Sequence, residues 1–277
     1  MSRSPTPSAH QFHRHPGLPW AELRVSRESP HCYRLHMHAE YSIGIVDAGQ
    51  AQFQHGRGPE PVTPGSVVLI EPGFWHACNP QRVSHWSYRM LYVQAQWLHR
   101  QLAVTGLQFN ARALHGPEVT AAANLLCQPL APAASPDDIA SYQQSLLQFI
   151  QQHSTPVAAP ERITGHASSH VLSHAVTTAL TQLHQHPEDA PSIQSLAEDA
   201  GLSASRFIRA FKAATGVTPG AYRLNLRLNG ARRLLAEGAA LSDAAHHMGF
   251  ADQAHLQRSF KAHHALTPGC YAHSAVA

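Results

Sequence analysis

The sequence contains few charged residues. Asp, Glu, Lys and Arg together make up 13% of its 277 residues, whereas about 25% is usual for soluble proteins. The 20 basic and 17 acidic side chains leave a formal net charge of +3. This balance excludes a strongly basic or strongly acidic chain, so any electrostatic attraction to nucleic acid has to come from a local segment.

Cysteine is scarce as well, and the four cysteines are far apart. Cys32, Cys78, Cys127 and Cys270 form no C-x-x-C pair, which predicts reduced thiols in a cytoplasmic protein. No segment approaches the ~18 apolar residues of a membrane span. The polar N-terminus also lacks the apolar core of a signal peptide. We therefore expect no membrane partner.

Signatures of common catalytic and nucleotide-binding sites are missing too. The chain has no G-x-S-x-G, Walker A or Rossmann fingerprint, which are the short motifs that carry such chemistry. We therefore expect a protein that is not an enzyme and that uses no cofactor.

An internal repeat dominates the C-terminal part of the sequence. Residues 196–222 read LAEDAGLSASRFIRAFKAATGVTPGAY, and residues 243–271 read DAAHHMGFADQAHLQRSFKAHHALTPGCY. Gly201 corresponds to Gly249, and both copies share a Phe-Lys pair and a Thr-Pro-Gly segment that is followed closely by tyrosine. Such a repeat indicates two copies of one supersecondary unit.

Each copy has the pattern of a helix-turn-helix. A short helix with apolar residues at three- and four-residue spacing ends at the glycine, which adopts a left-handed conformation without steric cost. Ser203 and Asp252 are suitable N-caps for the second helices. We expect these helices to bury Phe207, Ala210 and Phe211 in the first copy, and Leu256 and Phe260 in the second.

The outer faces of the second helices carry side chains that can read DNA. A helix-turn-helix places its second helix in the major groove, and the arginine fork fits the O6/N7 edge of guanine, so Arg209 and Arg258 are candidates for base contacts. Lys212 and Lys261 are better suited to phosphate. Residues 201–236 contain seven Arg or Lys and no Asp or Glu, and such a cationic strip favours phosphate binding. The alternative is a helical bundle with a solvated basic face.

The repeat closely resembles the DNA-binding domain of the AraC/XylS family of bacterial transcription regulators, above all in the second copy, GFADQAHLQRSFKAHHALTPGCY. The resemblance implies a long helix at about residues 219–237 and two recognition helices in successive major grooves of double-stranded promoter DNA. It also implies a small-molecule effector, a homodimer and RNA polymerase as partners. The contacts carried over by position are Ser205, Arg206, Ile208, Arg209, Gln253, Ala254, His255, Gln257 and Arg258.

The N-terminal half has a different pattern. Between residues 23 and 92, short alternating runs such as ELRVS, YRLHMH, YSIGIVDAG and SVVLIEPG are separated by Gly and Pro, which predicts a small β-sandwich or barrel. The segment HMHAEYSIGIVDAGQAQFQ resembles the cupin-like sensor domain of AraC-type regulators. The predicted fold is thus α+β: a cupin-like β-barrel with accessory helices, then an all-α domain of two helix-turn-helix units joined by a long helix.

These patterns also predict domain limits. We expect a flexible leader at residues 1–18, the barrel at 19–95, accessory or dimerisation helices at 96–153, a linker at 154–167 and the DNA-binding domain at 168–277.

Histidines and aromatic residues in the predicted barrel are candidates for an effector site. His36 and His38 would share one face of a strand, because side chains alternate with period two. The other candidates are Tyr41, Trp75 and His76. Three interpretations remain open: a pocket for an organic effector, a metal site of His36, His38 and His76 in a metal sensor or metal-dependent enzyme, or structural hydrogen bonding alone. The carboxylate of a cupin metal site would fall on Ser42 or Ile43, which cannot bind a metal.

The helix predicted after residue 137 carries an apolar stripe at helical spacing. The stripe consists of Ile139, Tyr142, Leu146, Phe149 and Ile150. Two interpretations remain open: packing of this stripe against the barrel, or a dimer interface as the resemblance suggests.

Overall fold

A computed structural model describes residues 9–29, 31–56, 58–80, 86–157 and 170–273. The chain divides into two compact units close to residue 158. In the described residues, the N-terminal unit combines β-sheets with three helices and the C-terminal unit is helical. This confirms the predicted fold class.

The described part of the N-terminal unit contains eleven strands and three helices. The strands are β1 (His10–His13), β2 (Ala21–Ser26), β3 (Glu40–Ala48), β4 (Ala51–His55), β5 (Gly58–Val62), β6 (Val67–Ile70), β7 (Ala77–Pro80), β8 (Ser87–Gln94), β9 (Leu107–Phe109), β10 (Ala113–Leu114) and β11 (Ser154–Pro156). The helices are α1 (Ala95–Leu102), α2 (Pro117–Leu126) and α3 (Pro136–His153).

The strands form a large sheet, a small sheet and a separate pair. The large sheet has six antiparallel strands in the order β1-β2-β8-β3-β6-β10, and the small sheet has three in the order β5-β4-β7. β9 and β11 form an antiparallel pair.

Strand alternation divides the large sheet into two buried faces. Leu23, Ile43 and Leu91 belong to one hydrophobic core together with residues of α1, α2 and α3. The residues next to them along the strands point to the opposite face, where Gly44 lies opposite Met90 across β3 and β8. A Cβ atom on Gly44 would lie 2.7 Å from the terminal methyl of Met90, so the glycine makes room for that side chain.

The apolar stripe of α3 packs into the core on the helical face of the sheet. Leu146, Phe149 and Ile150 are buried, and Ile139 and Tyr142 are partly buried against them. The packing interpretation is therefore confirmed for this stripe. An interface with a second copy would need other residues of these helices.

Three features of the N-terminal unit differ from the prediction. β1 pairs with β2 and Leu18 is buried, so the flexible leader predicted at residues 1–18 is wrong from residue 10 onwards. β11 pairs with β9 inside the predicted linker, while residues 158–167 of that linker lie outside the described residues. Residues 33–38 form no regular strand and contribute only a single bridge, between His36 and His76.

The sequence interpretation names no strand at β5, whose sequence contains two prolines. Proline cannot donate a backbone hydrogen bond and is confined to edge strands. Pro59 and Pro61 satisfy this rule, since β5 is an edge strand of the small sheet and pairs there with β4.

The described part of the C-terminal unit contains seven helices. They are α4 (His170–Gln185), α5 (Ile193–Asp199), α6 (Ala204–Thr215), α7 (Pro219–Ala236), α8 (Leu241–His247), α9 (Gln253–His264) and α10 (Pro268–Ala272). The long helix predicted at about residues 219–237 is confirmed as α7. In the described parts of the chain, every helix is too short or too polar to cross a membrane.

Arg227 of α7 connects the turn of the second helix-turn-helix to the segment between α4 and α5 by hydrogen bonds. Its guanidinium donates to the carbonyl oxygen of Pro187 at 2.8 Å, to that of Glu188 at 2.7 Å and to that of Gly249 at 2.7 Å. A Cβ atom on Gly249 would lie 2.2 Å from the Glu188 oxygen, whereas one on Gly201 would meet no atom within 4 Å. The two equivalent glycines thus differ in their surroundings.

This difference predicts unequal effects of the same substitution. Both glycines have positive φ, 64° at Gly201 and 67° at Gly249, so alanine costs roughly 1–2 kcal/mol of backbone strain at either site. Gly249→Ala should cost about 1–3 kcal/mol more, because its Cβ also overlaps a backbone oxygen. Thermal and urea unfolding of both variants measures this difference. Equal destabilisation would contradict the packing of Gly249 against Glu188.

Candidate DNA-binding surface and effector cavity

The helix-turn-helix units begin their second helices with the predicted caps. The Ser203 hydroxyl accepts a hydrogen bond from the backbone N–H of Arg206 at 3.4 Å. The Asp252 carboxylate accepts one from the backbone N–H of His255 at 2.6 Å. Each cap satisfies one backbone donor in the first turn, which confirms where α6 and α9 begin.

Aromatic contacts attach both second helices to the rest of the unit. Phe207 and Phe211 are buried on α6, and the Phe211 ring lies 5.6 Å from the ring of Tyr222 on α7. The second copy repeats this contact, with the Phe260 ring 5.7 Å from that of Tyr271. The predicted buried faces are therefore confirmed except at Ala210, which is only half-buried.

The predicted DNA contacts lie on the opposite, solvent-facing side. Arg209 and Arg258 are exposed, as are Lys212 and Lys261, while Ile208 and His255 are partly exposed. The remaining predicted contacts that are exposed are Ser205, Arg206, Gln253, Ala254 and Gln257. Both helices thus present polar side chains at matching positions, and DNA contact by these residues stays a prediction.

The cationic strip at residues 201–236 is not a single surface. Arg232 is buried, with its guanidinium 5.8 Å from the centre of the Tyr271 ring, and Arg227 donates to three backbone carbonyls as described above. Arg206, Arg209 and Lys212 remain exposed on α6. The sequence count therefore overstated how much of this charge faces solvent.

The N-terminal unit contains a cavity lined by residues of both the large and the small sheet. It has about 560 Å³ of empty space, which includes the part open to solvent at its mouth. The large sheet contributes the β2, β3, β6 and β8 side chains that face away from the helices, and Phe53 and Cys78 come from the small sheet. A mostly apolar cleft with a few polar groups is the usual form of a small-molecule site.

The structure brings together three of the five residues predicted to bind an effector. His36, His38 and His76 all line the cavity, and the His76 ring lies 4.4 Å from that of His36 and 4.8 Å from that of His38. Trp75 is half-buried and does not line this cavity.

Tyr41 points to the other face of the large sheet. It lies in the core beside α1, and its hydroxyl accepts a hydrogen bond from the backbone N–H of Leu107 at 2.9 Å. The prediction that Tyr41 lines the effector site is wrong, because β3 begins at Glu40 and strand alternation then directs Tyr41 towards the helices.

Each of the three histidines uses Nδ1 for a backbone contact. Nδ1 of His36 lies 2.7 Å from the Arg34 oxygen, and Nδ1 of His38 lies 3.1 Å from the Glu40 oxygen. Nδ1 of His76 donates to the Phe74 oxygen at 2.9 Å, since a carbonyl can only accept. Burial, together with nearby His38, lowers the pKa of His76 to about 3. The His76 ring is therefore neutral near pH 7, and its Nε2 is a hydrogen-bond acceptor.

The convergence of these imidazoles does not amount to a metal site. In the part of the chain that the structure describes, no group of three or more His, Cys, Asp or Glu side chains is arranged to bind a metal ion. The structure therefore does not favour the metal-dependent alternative.

The most polar feature of the cavity was missed by the sequence interpretation. Arg24 is buried and lines the cavity together with Tyr33, Tyr88 and Tyr92. Its guanidinium donates to the Tyr33 hydroxyl at 2.6 Å, and the Tyr88 hydroxyl donates to that of Tyr33 at 2.8 Å. A charged residue between Leu23 and Val25, and two tyrosines four residues apart on one face of β8, were the signals that could have identified this cluster.

Trp86 was missed as well. It lines the cavity, and its indole nitrogen is buried without a hydrogen-bond acceptor among the described residues. An unpaired buried donor costs roughly 1–3 kcal/mol. This donor therefore favours a ligand that brings an acceptor.

The buried histidines predict how stability depends on pH. Burial also lowers the pKa of His10 to about 3, helped by the positive charge of Arg24. Below the ordinary histidine pKa of 6.5, the unfolded chain takes up protons that the folded chain does not. The free energy of unfolding should therefore fall as pH drops from 6.5 towards 3, by at most ~1.4 kcal/mol per pH unit for each histidine.

Urea denaturation followed by tryptophan fluorescence measures this slope, because Trp20, Trp75, Trp86 and Trp97 all belong to the N-terminal half. His76→Asn preserves a side-chain donor near Phe74 but does not titrate, so it should reduce the slope between pH 6 and pH 5. An unchanged slope in this variant would show that His76 is not a neutral buried group.

Comparisons with known proteins match each of the two units to a protein family. Residues 19–150 match the family described as AraC-like ligand binding domain, and residues 196–274 match the family described as Helix-turn-helix domain. An uncharacterized HTH-type transcriptional regulator of Bacillus subtilis (strain 168), YbfI, is 27% identical over 226 residues, which cover 80% of each chain. A putative AraC-like transcription regulator of Streptomyces lividans is 34% identical over 114 residues, covering 41% of this chain and 37% of that protein.

Solved structures of ToxT from Vibrio cholerae share the fold. An apo form superposes with a TM-score of 0.58 at 10% identity, over 92% of this chain and 97% of ToxT. A form with bound unsaturated fatty acid gives a TM-score of 0.53 at 10% identity, over 96% and 94%. The chain belongs to the AraC family of transcription regulators and consists of an AraC-like ligand-binding domain followed by a helix-turn-helix DNA-binding domain.

Proposed function

We propose that α6 and α9 are the recognition helices and that they enter successive major grooves on one face of promoter DNA. The observation that supports this proposal is that both helices have the same arrangement of buried and exposed faces. Each helix begins at a capped residue, buries two large apolar side chains and exposes polar ones. Arg209 on α6 and Arg258 on α9 read bases, and Lys212 and Lys261 contact phosphate.

A small molecule in the cavity of the ligand-binding domain controls this DNA binding. Support comes from the mixed apolar and polar lining of the cavity, and from ToxT, which shares the fold and has been solved with an unsaturated fatty acid bound. The effector acts by binding one arrangement of the two domains more tightly than another, since a ligand with equal affinity for both arrangements shifts nothing.

Two classes of contact on the recognition helices predict different mutational effects. Arg209→Ala and Arg258→Ala should each cost about 1–3 kcal/mol of binding free energy and relax the preference at one base pair. Lys261→Ala should weaken binding to all sequences alike and reduce the slope of log affinity against log salt by about 1. Arg100→Ala, which removes an exposed charge from α1, is the control for net charge.

The operator can be obtained by selecting tight binders from random duplex DNA with the full-length chain. Fluorescence anisotropy on the selected duplex, at several salt concentrations, then gives the affinity and salt slope of each variant. If Arg258→Ala binds this duplex with unchanged affinity and base preference, α9 is not a recognition helix.

The spacing of the two contacted segments tests whether both helices bind the same duplex face. Inserting half a helical turn, roughly five base pairs, between the segments places them on opposite faces. Wild-type affinity should fall, and Arg258→Ala should have little further effect on this altered duplex. An undiminished effect of Arg258→Ala would contradict simultaneous binding of both helices.

The regulator acts as a homodimer and works together with RNA polymerase at the promoter. For the dimer, the support is that symmetric dimers are the commonest soluble oligomers; Leu125 of α2, which is 71% exposed, is the apolar side chain that α2 offers to a partner. Leu125→Glu should shift the protein to monomers without lowering its melting temperature, because the side chain makes little contact within the chain. Sedimentation velocity over a range of concentrations measures this, with Leu35→Glu, at a 37% exposed leucine, as control. A dimer that survives Leu125→Glu places the interface elsewhere.

A further inference from the structure

The cavity of the ligand-binding domain combines a cluster of hydrogen-bond donors with apolar side chains. Arg24 and Trp86 supply donors, while Phe53, Ile70 and Met90 supply apolar surface. A ligand that satisfies both kinds of lining must have a polar group with acceptor atoms and an apolar body.

Arg24 gives the cavity a positive charge. Burial by itself would lower the pKa of its guanidinium, but the hydroxyls of Tyr33, Tyr88 and Tyr92 raise it above the ordinary value. Burial raises the pKa of Tyr33 and Tyr88 as well, so these phenols are neutral near pH 7. Among the described residues that line the cavity, none is Asp or Glu. The cluster therefore carries one net positive charge.

Aromatic rings confine the guanidinium to one position. Its central carbon lies 5.5 Å from the centre of the Phe12 ring, 5.3 Å from that of Tyr33 and 5.7 Å from that of Tyr88. Hydrogen bonds to the Ser26 hydroxyl at 3.1 Å and to the Tyr33 hydroxyl at 2.6 Å fix it further. A donor that is already ordered loses little conformational entropy when a ligand binds.

The indole of Trp86 is an independent observation that points to the same kind of ligand. Its N–H is buried, and the described residues offer it no acceptor. Two donors, one of them charged, favour a ligand group with several acceptor lone pairs, and a carboxylate has about four such sites. A neutral polyol would pair with the hydroxyls but would not use the arginine charge, whereas a carboxylate forms a charge-assisted hydrogen bond with a guanidinium.

We propose that the effector is a small carboxylic acid with an apolar or aromatic body, and that its carboxylate pairs with Arg24. The Trp86 indole donates a further hydrogen bond to the ligand, and Phe53 and Met90 contact its body. This inference rests on the proposed function in taking the cavity as the effector site.

Matched pairs of acids and amides test the inference on the full-length wild-type chain. Benzoate, phenylacetate, 3-phenylpropanoate and hexanoate are each compared with their carboxamides by thermal shift, and any ligand that stabilises the protein is titrated by calorimetry. At least one acid should bind, and its amide, which has nearly the same shape but no charge, should bind at least tenfold more weakly. Equal affinity of acid and amide overturns the inference, as does a panel in which no acid binds.

Variants locate the bound carboxylate. Arg24→Gln should weaken binding of the acid at least tenfold and should leave binding of the amide unchanged. Trp86→Phe keeps the ring but removes the N–H, and it should weaken acid binding severalfold. Arg89→Gln is the matched control, because Arg89 on neighbouring β8 bonds Asp47 and does not line the cavity. Should Arg24→Gln fail to fold, the wild-type pairs and Trp86→Phe still decide the matter.

DNA affinity measured with and without the bound acid separates this inference from the proposed function. If the acid binds through Arg24 but DNA affinity stays the same, the ligand class is correct and effector control is not. If a neutral ligand changes DNA affinity while no acid binds, effector control stands and the ligand class is wrong.

Discussion

The six-stranded sheet of the ligand-binding domain is buried on both faces, and most of that domain depends on this arrangement. Side chains alternate along each strand, so adjacent residues serve different purposes. Leu23 packs against the helices, while Arg24 lines the cavity. On β3, Ile43 likewise packs against the helices and Gly44 lines the cavity. A shift of pairing by one residue would exchange these roles, moving the arginine into the hydrophobic core.

This two-sided burial also explains the position of α3. Its apolar residues cover the face of the sheet that does not line the cavity, which leaves exposed glutamines such as Gln144 and Gln148 on its outer surface. The helix and the cavity are therefore separated by a single layer of strands. A ligand that displaces β3 or β8 slightly would also displace the helices packed on the other face of the sheet, because close-packed interiors transmit such displacements.

The DNA-binding domain shows how two copies of one sequence pattern acquire different environments. Phe211 with Tyr222 and Phe260 with Tyr271 make equivalent contacts in the two copies. Arg227 joins the turn at Gly249 to the segment that precedes α5, and the described residues show no matching arginine contact at Gly201. The repeat therefore supplies two similar second helices, and contacts outside the repeat determine how the turn of the second copy is attached to the segment before α5.

Sequence patterns were sufficient to predict the tandem helix-turn-helix, with its caps, turn glycines and exposed faces. They also indicated a β-rich N-terminal domain and three histidines as candidates for one site. These features depend on local chemistry, because a cap or a helical face involves residues within about four positions of one another. The fold had to be known before Arg24 and Trp86 could be placed in the cavity lining, Tyr41 outside it and Arg232 in the interior. Those outcomes depend on which strands and helices pair across long stretches of chain, and the spacing of residues within one segment does not show which segments pair.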